Sequence, residues 1–114
     1  MKYSYRFEMK QHHNGSPILL MRLPEEIGMV ESFLYAKVHS RNGSHYITSA
    51  ISDVLTGVSE YMEVAGNVYG LEIRPKTTML VNEIDPLEEQ PCEIETNELK
   101  EIIEIWLDEK DKLS

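Results

Sequence analysis

The chain has 114 residues, 41% of them hydrophobic, and a formal net charge of −9 at neutral pH. That length makes one domain, residues 1–114, with a single core and no room for two lobes around a cleft. The excess of acid argues against nucleic acid or an anionic membrane as a partner, because binding to phosphate draws its affinity from Lys and Arg.

The charge is unevenly placed. Residues 1–60 hold equal numbers of acids and bases, whereas 61–114 hold fourteen acids and five bases and so carry the whole −9. Such a field steers a basic protein inward; the plainer alternative is that it keeps the protein soluble. Cys92 is the single cysteine, which leaves no internal disulfide and no cysteine-based zinc site. Its neighbours Gln90, Pro91 and Glu93 include no activating base, and nearby carboxylates raise a thiol pKa, so a buried or incidental thiol is expected. No apolar signal core opens the chain and no run is long enough to cross a bilayer, so the expected location is the cytoplasm.

Residues 2–10 alternate strictly, with Tyr3, Tyr5, Phe7 and Met9 on one side and Lys2, Ser4, Arg6, Glu8 and Lys10 on the other. This is the period of a half-buried strand, and Tyr3 and Tyr5 are expected in the core. Asn14-Gly15 predicts a hairpin turn, with Ile18–Leu23 as the return strand. Pro24 suits the first position of a helix, followed by Glu25 and Glu26 in its first turn. Gly28 weakens that helix, and residues 31–38 read equally well as a strand.

Ser44 predicts a cap for a helix reaching about Thr56, with Ile47, Ala50, Ile51, Val54 and Leu55 on one stripe. Gly57 sits where a left-handed residue ends a helix. Strands are predicted at about 60–65, 68–73 and 77–82, with turns at Gly66-Asn67 and Pro75-Lys76. Tyr69, Leu71 and Ile73 share a face, and Gly70 on the other side would let a second backbone approach closely. Residues 83–91 form an acidic, proline-bounded loop, and 93–95 extend briefly. Thr96 predicts the cap of a last helix over 97–111, whose stripe is Leu99, Ile102, Ile103, Trp106 and Leu107. The predicted class is α+β: an antiparallel sheet of four to six strands with two or three helices packed on one side.

Chemistry has few footholds. His12 and His13 adjoin the turn, and His39 and His45 flank residues 40–44, but no HxH, HxxxH or HxxE spacing for a metal is present. Neighbouring residues on a strand point to opposite faces, so the first pair does not share a ligand without an irregular backbone. Ser44, Ser49, Ser52 and Asp53 make no nucleophile elbow, and Gly66–Gly70 joins two strands rather than opening a phosphate-binding helix. The acids come in solvated runs rather than among the apolar residues that tune a catalytic carboxylate. A non-enzymatic protein without metal or cofactor is the expectation.

Tyr46 and Tyr61, beside element edges, suit an interface. The acids of the last helix read first as its solvated face. The stretch from Glu83 to Glu95 asks more clearly for a partner, because a loop can enter a concave basic site in place of phosphates. The candidate contact residues are Asp85, Leu87, Glu88, Glu89, Glu93 and Glu95, with Glu101, Ile105 and Asp108 on the helix. Leu87 and Ile105 would add the apolar area that charge alone does not supply.

Two stretches, 47–73 and 92–109, resemble small bacterial immunity proteins of contact-dependent growth inhibition and polymorphic toxin systems. The carrying motifs are L-x-G-x-S-E-Y at Leu55–Tyr61, G-N-x-x-x-L-E-I at Gly66–Ile73, C-E-I-E-T at Cys92–Thr96 and I-W-L at Ile105–Leu107. They cover less than half the chain and are structural in character; residues 1–46 carry none of the resemblance. The resemblance implies a cytosolic, non-enzymatic protein that binds one cognate toxin domain and blocks it. Such toxins are often nucleases, including ones that cleave tRNA. No contact residue transfers by motif, because these families diverge at the contact surface. Two other readings stay open: a regulatory or ligand-binding α+β module with a pocket at Tyr46, Tyr61 and Tyr69, and a small hydrolase or metal enzyme using the histidines.

Overall fold

The computed structural model describes residues 1–66, 68–85, 87 and 89–113. In chain order the elements are β1 (Arg6–Gln11), β2 (Pro17–Arg22), a 3₁₀ turn (Glu25–Ile27), α1 (Gly28–Lys37), α2 (His45–Leu55), β3 (Met62–Val64), β4 (Tyr69–Ile73), β5 (Thr77–Asn82), β6 (Cys92–Glu95) and α3 (Thr96–Lys112). The class is α+β with antiparallel pairing throughout. The six strands make two sheets, a β1–β2 ribbon and a four-stranded meander ordered β3-β4-β5-β6.

The ribbon pairs Phe7 with Met21 and Met9 with Leu19. Its turn closes through His12 N–H to Ser16 O at 2.8 Å, with Gly15 at φ 88°, as the Asn-Gly signal predicts. The N-terminal strand is shorter than its alternation suggests, beginning at Arg6 rather than Lys2. Its apolar side reaches the core only in part: Tyr3 and Phe7 pack against it half-buried. Leu19 and Met21 are buried on β2, but Tyr5 and Met9 are about half exposed. The ribbon packs on α1 through β2, and the part of β1 beyond that contact stays in water.

Residues 31–37 resolve as helix rather than strand. Met29, Val30, Phe33 and Leu34 are buried along α1, and Val38 just beyond it is also buried. Pro24 stands one residue earlier than expected. It caps the 3₁₀ turn, accepting Ile27 N–H at 3.0 Å, and Gly28 lies where that turn widens into α1.

On α2, Ile47, Ala50, Ile51 and Val54 are buried, and Gly57 takes the left-handed conformation at φ 85°. Ser44 occupies the cap position without capping; its hydroxyl donates back to Ser40 O. Thr96 likewise does not cap α3. Its hydroxyl donates to Arg74 O and therefore accepts from Thr78 Oγ1 at 2.8 Å, so this buried side chain fixes the helix to the β4–β5 turn. Buried hydroxyls must find partners, and a partner across the core serves better than the helix's own first turn.

Both α2 and α3 pack on the same face of the four-stranded sheet. That inner face supplies Leu71, Ile73, Leu80 and Ile94, and α3 answers with Leu99, Ile102, Ile103, Trp106 and Leu107. The Trp106 indole N–H donates to Val38 O at 2.6 Å, joining α3 to the end of α1. No helix is long and apolar enough to cross a membrane.

Candidate partner-binding surface

Because strand residues alternate, burying Leu71, Ile73, Leu80 and Ile94 sends their neighbours to the other face. The register then sets Glu63 opposite Glu72, Glu72 opposite Met79 and Met79 opposite Glu93. The result is a single row across four strands, three carboxylates and one thioether, on the face that α2 and α3 leave open. Adjacent strands lie about 4.8 Å apart, so Glu63 and Glu72 are like charges at close range. Tyr61 OH donates to Glu63 Oε1 at 2.7 Å, and Arg74 reaches Glu72 at 3.7 Å while stacking 4.7 Å from the Tyr61 ring centroid. The hydrogen bond to Glu63, with burial second, pushes the Tyr61 phenol up to about 12.

Val81 pairs with Gly70 on this face. A Cβ at position 70 would collide with the Glu83 carboxylate, so the glycine admits a side chain rather than the second backbone expected from the sequence. Glu63, Glu72 and Glu83 rim a groove of about 100 Å³ with Val64, Ala65, Leu71 and Val81 between them.

The loop after β5 is organised by Asn82. Its Oδ1 accepts the Ile84 and Asp85 N–H groups at 3.0 and 2.9 Å, and its Nδ2 donates to Glu89 Oε1 at 2.8 Å. Ile84 and Leu87 stand 68% and 91% exposed, large apolar side chains with almost no protein around them.

The sequence-predicted contact residues fall into three places. Asp85, Leu87 and Glu89 are on the loop, and Glu88 lies outside the described residues. Glu93 and Glu95 point outward from β6. Glu101, Ile105 and Asp108 are on α3, which packs against the opposite face of the sheet. Ile105 is half-buried against the core. Asp108, with Glu104 and Asp111, converges on Arg41; the guanidinium lies 2.7 Å from Asp111 and 3.3 Å from Glu104. Glu101 lies 3.8 Å from the Met1 amino group. Glu95 accepts from Lys2 Nζ and Tyr3 OH, both at 2.6 Å, and those two bonds hold its carboxyl down at about 2.

Sequence reasoning missed Glu63, Glu72 and Met79; Glu83 and Ile84 lie in the stretch it singled out, though not among its named contact residues. The signal was present in the alternation of β4 and β5, which assigns an outer face once the inner one is chosen. Cys92 is half-buried, and burial raises its thiol pKa rather than lowering it. Tyr69 lines a groove with Tyr35 and Leu20, not with Tyr46 or Tyr61. His39 Nε2 is bonded to Ala36 O at 2.9 Å, while His12 and His13 stack on each other. Among the described residues, no group of three His, Cys, Asp or Glu side chains is placed to hold a metal ion.

A Bacillus cereus protein named "Immunity protein" is 43% identical to this chain over 114 residues, covering 96% of this chain and 90% of its own length. The chain belongs to this immunity-protein family. The likeness runs through the first 46 residues as well, where no motif signalled it. No family model matches the chain, and no solved structure matches it. Among the described residues, α2 and α3 pack on one face of the main sheet, and the outward row of Glu63, Glu72, Met79 and Glu93 lies on the other.

Proposed function

We propose that this protein neutralises a cognate toxin domain by binding it, without catalysis, in the cytoplasm of the cell that makes it. The observation that carries this reading is the match, over nearly the whole chain, to a protein named for immunity. The partner is a basic protein, and a nuclease domain fits best, since a surface that holds phosphates is the natural complement of one rich in carboxylates. The contact surface includes the 83–91 loop and the outward glutamates of β6, where Ile84 and Leu87 add apolar area to Asp85, Glu88, Glu89 and Glu93.

The test is co-expression. The C-terminal domain of a large exported protein encoded beside this gene, produced alone in a bacterium, should arrest growth and degrade RNA or DNA. Added in trans, this chain should restore growth and form a stoichiometric complex. Arrest that persists despite abundant soluble chain would end the reading. Reversing the charge of Glu88, Glu89 and Glu93 should slow association, most visibly at low salt, where screening is weakest.

A further inference from the structure

We propose that the groove between Glu63, Glu72 and Glu83, on the uncovered face of the sheet, receives an arginine or lysine side chain of the toxin. This rests on the toxin-binding reading above and assigns it a docking point. Among the described residues no helix packs on this face, whereas α2 and α3 pack on the opposite one. Its centre is apolar, with Met79 and Val81, and its row of carboxylates is set by strand register rather than by flexible chain. At about 100 Å³ the groove has the volume of roughly three waters, enough for one cationic head group.

Charge decides the kind of occupant. Three carboxylates rim the groove, and among the described residues one of them, Glu72, is bridged by Arg74 at 3.7 Å, with that guanidinium stacked on Tyr61. Directly opposed like charges weaken a strand pair, so Glu63 facing Glu72 disfavours the free protein. A guanidinium placed between them removes that repulsion and can form charge-assisted bonds to two carboxylates at once. Gly70 belongs to the same device, because the missing side chain is what lets Glu83 lie over the sheet. A second copy of this chain would bring the same acids and be repelled.

The experiment compares two triple variants of the full chain, binding the toxin domain encoded beside its gene. E63Q/E72Q/E83Q removes charge from the groove; E104Q/E109Q/D111Q removes it from α3. The groove variant should bind about 100-fold more weakly, as expected when charge pairs at an interface are lost, and should melt no lower than the parent. The α3 variant should bind within about threefold of the parent. Wild-type binding with an unchanged groove variant overturns the docking point and leaves the toxin-binding reading intact. Failure of the wild type itself to bind overturns both. As a check independent of the toxin, argininamide should shift the amide resonances of Gly70 and Val81 in the parent, and no shift there would also count against the groove.

Discussion

On α3, Glu104, Asp108 and Asp111 converge on the single guanidinium of Arg41, and Glu98 accepts the Lys2 backbone N–H at 3.1 Å. Across the sheet, Glu63 faces Glu72 and Glu93 faces Met79, with Arg74 bridging to one of the three acids. Both regions are acidic in sequence, yet one is matched from within the chain and the other is left in opposition to itself. Net charge therefore says little about which surface seeks a partner. The arrangement of counter-charges says more: paired surface acids add little to stability, and a row of three acids bridged by Arg74 at Glu72 alone keeps an attraction for a cation from outside.

The comparison can be broken most forcefully at β5, where adjacent residues face opposite ways. Leu80 is fully buried, so Leu80→Ala should lower the unfolding free energy by about 2–5 kcal/mol in urea titrations. Met79→Ala, on the open face, should cost far less stability and weaken toxin binding instead. Equal stability losses at the two positions would mean that the outer face is covered.

A second, smaller effect belongs to Glu95. The folded-state carboxyl of Glu95 is held at about 2 against an ordinary 4.5, by Lys2 first and Tyr3 second. Its contribution is thus fully present above about pH 4.5 and is lost as the pH falls towards 2. The side chain is a third exposed, so solvent screening reduces what the shift is worth. Thermal melts of Glu95→Gln should be lower than the parent's at pH 6, with the gap closing near pH 2.

Relief of the opposed pair gives a gain instead of a loss. Glu63→Gln keeps an acceptor for Tyr61 OH and removes one of two facing charges, so stability at low salt should rise by about 0.2–1 kcal/mol. The same variant should bind toxin less well, a trade of stability against function. The smallest effect belongs to Arg41→Gln. Its ion pairs are solvent-exposed, so the melting temperature should fall by less than about 4 °C and toxin affinity should stay unchanged. A large loss of affinity there would move the interface to α3.

Local signals located much of this architecture. The stripes of α2 and α3 were legible because five apolar residues recur at helical spacing in each, and β5 falls at its predicted bounds of 77–82. Gly15 and Gly57 are where positive φ was needed. Ser44 and Thr96 were misread as caps because a hydroxyl has many candidate partners, and the ones chosen, Ser40 O and Arg74 O, depend on how the chain returns. Tyr5 and Met9 were misread because alternation names two faces without saying which is covered. The immunity-protein resemblance was carried by residues 47–73 and 92–109, and the comparison extended it to nearly the whole chain.

The sequence by itself determined the α+β class, the antiparallel strands, the helical stripes and the acidic character of the second half, since each follows from spacing or composition over a few turns. Only the tertiary structure decided what those acids do. Arg41 meets α3 across more than sixty residues of chain, and Glu63, Glu72 and Glu93 meet through strand register. Such distant juxtapositions are fixed by which faces the core buries, and a local pattern contains no term for that choice.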